Sequence, residues 1–109
     1  MADQLEQTKQ PPPGAEQRFD RLATQWKNER GCTSDVTEMS THPAYQEIIG
    51  MGPVAIPWLL RELESDPDHW FWALRSITGE NPIPDDCRGD MTKMVDAWLS
   101  WGRREGHLD

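Results

Sequence analysis

The sequence predicts an all-α protein, a small helical bundle. Three observations lead there. No apolar run of period two reaches strand length. Apolar residues recur at helical spacing in one segment after another. Those segments begin at prolines or capping residues and stop at glycines, the usual asymmetry of helix ends.

Residues 1–15 (MADQLEQTKQPPPGA) are polar and close on Pro11-Pro12-Pro13-Gly14. They are expected to form a disordered, Pro-rich leader, because they cannot bury enough apolar area to offset the entropy of ordering. Residues 16–109 are expected to fold as one helical domain, as suits a 109-residue chain. In residues 16–30, Phe19, Leu22, Ala23 and Trp26 fall on one helical stripe that Gly31 should end. Residues 32–41 read as a linker with one short turn near Met39, capped by Ser34 or Asp35. Pro43 then suits the first position of a helix whose apolar face is Tyr45, Ile48 and Ile49.

Pro53 opens a further helix, with Ile56, Leu59, Leu60 and Leu63 as its stripe and Trp58 to one side. Pro57 lies about one turn in, where helical N–H groups have no intrahelical acceptor, so a shifted start or slight bend is expected. Asp66-Pro67 has the form of an N-cap followed by a first-turn proline. It should launch His69–Thr78, with Trp70, Ala73, Leu74 and Ile77 facing the core and Phe71 and Trp72 projecting elsewhere. Residues 79–89 read as a rigid acidic loop, since Pro82 and Pro84 forbid a helix. Asp90 should cap a last helix through Met91, Met94, Val95, Trp98 and Leu99, with Trp101 off the stripe and Gly106 as its stop.

Charge is unevenly placed. Residues 1–30 carry five acids and five bases, whereas residues 31–109 carry fourteen acids and six bases, which accounts for the whole formal charge of −8. An acidic surface repels phosphate backbones and favours basic partners, although solubility alone also explains it. Direct nucleic-acid binding is therefore not expected. No signal peptide and no membrane span is legible, and a cytoplasmic protein with reduced Cys32 and Cys87 is expected.

The stretch Met51–Gly79 resembles a HEAT-like helical repeat of the phycobilisome-lyase type, carried by Gly52, Ala55, Pro57, Leu59, Leu60, Leu63, Asp66, Pro67, Trp72, Ala73 and Ile77. A second copy at the usual spacing is missing, so the resemblance implies a single hairpin capped by the flanking helices. A longer stretch, from HPAYQEIIGMG through HWFWALRSITGENP to AWLSWGRREG, is similar to a family of short uncharacterised bacterial proteins, some of which lie beside toxin–antitoxin or defence-type genes.

No catalytic site, metal site or cofactor is expected. Asp66, Asp68 and His69 are close in sequence but lack ligand spacing, and Cys87 sits among Asp85, Asp86 and Asp90, which should raise its pKa. What stands out is aromatic. His69-Trp70-Phe71-Trp72 places three large rings on one helical turn. Either this helix is central and covered, or Trp72 is exposed as an anchor with Arg75 one turn along and His69 one turn back; Trp and Arg are the usual hot-spot residues. Trp101 is a second candidate anchor. The expectation is a non-catalytic protein-binding module, an antitoxin, immunity or adaptor protein engaging another, basic, protein. The alternative is an inhibitor that imitates nucleic acid through acids such as Asp85, Asp86 and Asp90. An enzyme or small-ligand binder using the His69–Trp72 helix is a third reading.

Overall fold

A computed structural model describes residues 13–30 and 36–108, with the Val36 side chain excepted. Among them are six α-helices and no strand: α1 (Ala15–Arg30), α2 (Val36–Ser40), α3 (Pro43–Gly50), α4 (Ile56–Ser65), α5 (Phe71–Thr78) and α6 (Met91–Arg104). Short 3-10 turns at Gly52–Ala55 and Asp85–Cys87 lead into α4 and towards α6. The all-α bundle is as expected. The proposed leader lies mostly outside the described residues, but its last member, Ala15, already belongs to α1 and is buried.

The α1 stripe of Phe19, Leu22, Ala23 and Trp26 is buried as its spacing requires. Trp26 donates its indole N–H to the Met39 carbonyl at 2.8 Å, which fixes the end of α2 against α1. Helix α3 starts at Pro43, with His42 as N-cap: Nδ1 of the ring accepts the Ala44 N–H, and Nε2 lies 2.9 Å from Glu29 of α1. Pro57 falls in the first turn of α4, so the helix starts late, at Ile56, after the 3-10 turn.

The core is aromatic at its centre. Trp26 and Trp70 are 4.4 Å apart between ring centroids, and Tyr45 stacks on Trp70 at 5.5 Å. Phe19 lies 5.7 Å from Trp58, which is buried rather than set to one side. These rings come from α1, α3, α4 and the turn before α5. Five buried tryptophans, Trp26, Trp58, Trp70, Trp98 and Trp101, thus offset the low apolar content of 36%.

The Asp66-Pro67 signal is overturned. Asp66 is the C-cap of α4, its N–H bonded to the Glu62 carbonyl, and α5 begins only at Phe71. Both local carboxylates are taken by the last turn of α1: Lys27 reaches Glu62 at 2.6 Å and Asp66 at 3.2 Å, and Arg30 reaches Asp68 at 2.6 Å. The other Asp68 oxygen accepts the His69 N–H. These ties hold residues 66–69 in a turn, with the Asp66 side chain turned towards Lys27 of α1.

Helix α6 ends as a Schellman motif. The His107 N–H bonds to the Gly102 carbonyl at 2.8 Å and the Gly106 N–H to Arg103 at 3.3 Å, with Gly106 at φ +82°. Gly102 itself faces α4: a Cβ there would lie 2.5 Å from Leu60 Cδ1 and 3.3 Å from Leu108 Cδ1. Alanine gains about 1 kcal/mol of helix propensity over glycine. Leu60 is fully buried, however, so its displaced Cδ1 must be accommodated inside a packed core, and overpacking of about 1–3 kcal/mol prevails. Gly102→Ala is therefore expected to lower the urea midpoint, and a raised midpoint would show that Leu60 can repack.

Candidate functional site

A cleft of about 490 Å³ opens between α5 and the segment that leads into α6. Its first wall is Phe71, Trp72 and Arg75 of α5, with His69 at the head of the helix. The facing wall is Asn81, Ile83, Arg88 and Gly89, and the first turns of α6 add Met91 and Met94. The residues are predominantly apolar, the two arginines are the strong charges, and no carboxylate lines the cleft.

Each part has a local cause. The opening of α5 shares its four rings between core and surface. Trp70 and Phe71 are buried, whereas Trp72 is 46% exposed, the one large apolar side chain so exposed among the described residues. Arg75, one turn on, lies with its guanidinium 5.6 Å from the Trp72 ring centroid, within cation–π range. Gly79, at φ +71°, ends α5 in the left-handed conformation. In the loop beyond, Asn81 Oδ1 accepts the Ile83 N–H and Ile83 is buried. The 3-10 turn at Asp85–Cys87 then presents Arg88, and Asp90 caps α6 by accepting the Lys93 N–H at 3.2 Å.

The structure brings together three of the sequence candidates, His69, Trp72 and Arg75, and separates the other three. Trp101 is 6% exposed, packed edge-on against Trp98 at 5.2 Å and stacked on His107 at 5.3 Å. It is a core residue, because the chain reversal at Gly106 brings His107 over its face. Asp85 and Asp86 are exposed on the 3-10 turn outside the lining. Asp85 pairs with Arg88 at 3.1 Å, and Asp86 lies 3.6 Å from the free Cys87 thiol. That thiol is held above its ordinary pKa, first by desolvation and then by Asp86. Asp90 accepts the Lys93 N–H as the cap of α6.

Behind the cleft the Tyr45 phenol anchors the start of α5. It donates to the His69 carbonyl and accepts the Ala73 N–H, both at 2.9 Å. Burial lifts its pKa well above the ordinary value near 10, while the Ala73 and Trp72 N–H groups pull the other way and the Asp68 charge adds to the rise. The folded chain thus keeps a proton that the unfolded chain loses. The stability this contributes is complete below pH about 10 and falls as pH climbs further. Tyr45 is the single tyrosine of the chain, so the rise in absorbance near 295 nm that marks phenolate formation, above the tryptophan background, comes from it. Phenolate is expected to appear only with the loss of helical circular dichroism; titration near pH 10 in the intact fold would contradict the burial.

Among the described residues, no three His, Cys, Asp or Glu side chains gather to hold a metal, and no helix is long and apolar enough to cross a membrane. Comparison with protein families, with curated proteins and with solved structures returns no match to this chain.

Proposed function

We propose that this chain is a non-catalytic protein-binding module, of the antitoxin, immunity or adaptor kind, working in the cytoplasm, and that its partner docks in the cleft beside Trp72. The observation that carries this reading is the exposure of Trp72 in a lined hollow. A large ring left 46% exposed, next to an arginine and in a cleft that two methionines also line, has the composition of an interface hot spot. The net charge of −8 favours a partner of basic overall charge, steered at long range. The helices Ile56–Ser65 and Phe71–Thr78 are read as a single HEAT-like hairpin between flanking helices, supported by the early proline at Pro57 and the Asp66-Pro67 turn.

The test is to purify the partner captured at low salt from the native host, rebuild the complex from pure components and map it by hydrogen exchange. Protection is expected at residues 69–75 and 81–94, with an affinity that falls as salt rises. A complex that leaves both segments unprotected, or no captured partner, would overturn the reading.

A further inference from the structure

The cleft carries the opposite charge to the rest of the chain. In a protein of net charge −8, its lining holds Arg75 and Arg88 on facing walls and not one carboxylate. The hollow is also not a compact pit. A second depression of about 240 Å³, beyond Trp72, shares Trp72, Arg75 and Asn81 with it and adds Glu80, the one carboxylate of the combined lining, so the exposed indole stands as a ridge between two adjoining hollows, of which the one between Arg75 and Arg88 is free of acids. A groove crossed by a ridge suits an extended or helical segment of chain better than a small rounded ligand.

We propose that the occupant is a peptide segment of a partner protein in which a large apolar side chain is flanked by aspartate or glutamate. The apolar side chain packs against Trp72, Met91 and Met94, and the carboxylates take Arg75 and Arg88. Arginine suits this role because its planar fork binds a carboxylate through two parallel hydrogen bonds. Neither arginine is committed elsewhere at high cost. Arg88 meets Asp85 in a pair whose side chains are 67% and 93% exposed, and such pairs are worth about 0–1 kcal/mol. Arg75 lies over Trp72 and can keep that stacking while its outer edge binds an anion. The inference rests on the cleft being a docking site. It adds that long-range attraction and local recognition use opposite signs: the acidic exterior draws a basic partner, and the groove selects an acidic tip on it.

The test is selection of a random 12-residue peptide phage library on the full chain, with Trp72→Ala and the double variant Arg75→Gln/Arg88→Gln as parallel targets, each checked for helical circular dichroism. Enrichment of peptides that pair a large apolar residue with Asp or Glu is expected. The acidic preference should vanish on the double variant, and binding of the selected peptides, read by fluorescence anisotropy, should weaken about tenfold or more there. If selected peptides depend on Trp72 but show no acidic preference, or an unchanged one on the double variant, the charge proposal fails while the docking reading stands. If no peptide depends on Trp72, both fail. Tight binding of an anionic dye such as anilinonaphthalene sulfonate at the groove, with no peptide enriched, assigns it to small anions and overturns the proposal.

Discussion

Replacing Trp70 by alanine is expected to cost about 3–5 kcal/mol, the range for deleting a fully buried aromatic side chain. The ring is the hub of the core, with Trp26 at 4.4 Å, Tyr45 at 5.5 Å and Phe19 at 6.4 Å. It is fully buried, and the rings around it come from α1 and α3. Against a total stability of about 5–15 kcal/mol for a natural domain, this is a large fraction. With a urea dependence of about 2 kcal/mol per molar, the midpoint should fall by roughly 2 M. A fall of less than about 0.5 M would mean that the aromatic centre is not the principal support of the fold.

Trp72→Ala, two residues along, is expected to do the reverse. The side chain is nearly half exposed, so the urea midpoint should move by less than about 0.5 M, in line with surface substitutions. Partner affinity should fall about 30-fold, because losing a hot-spot tryptophan costs about 2 kcal/mol or more. Acrylamide quenching supplies an internal check, since the variant should lose the most accessible fraction of tryptophan emission. Unchanged affinity for the rebuilt complex would remove Trp72 from the interface. A loss of stability comparable to that of Trp70→Ala would show that its role is in the core.

The helices were legible in the sequence where a single rule governs. The α1 stripe, the Pro43 start, the Asp90 cap and the Gly106 stop depend on residues within a turn of each other, and each stands where its rule puts it. Asp66-Pro67 misled because two rules compete for one carboxylate. The N-cap rule is local, whereas Lys27, which pairs with Asp66, arrives from a helix some forty residues earlier, as does Arg30, which holds the neighbouring Asp68. Trp101 misled in a similar way. A helical wheel places it off the core stripe, and only the reversal after α6 covers it with His107.

Half of the site followed the same division. His69, Trp72 and Arg75 lie on or beside one helix, so their spacing revealed them. Arg88, Met91 and Met94 were hidden. The arginine sits in a stretch dominated by acids, and the methionines read as ordinary core positions of α6. Only the path of residues 79–90, pinned by buried Ile83, carries them across to face Trp72.

The closeness of Trp26 and Trp70 has a spectroscopic consequence. Two indoles 4.4 Å apart and tilted by 43° exchange excitation, so their transitions split into a coupled pair of circular dichroism bands overlying the helical signal. That couplet depends on the mutual orientation of the rings and not on helix content. A collapsed state that kept its helices while its side chains lost their fixed packing would lose the couplet first. The native chain therefore carries its own optical gauge of tertiary order, and helicity estimated from far-ultraviolet ellipticity alone will be biased until the couplet is subtracted.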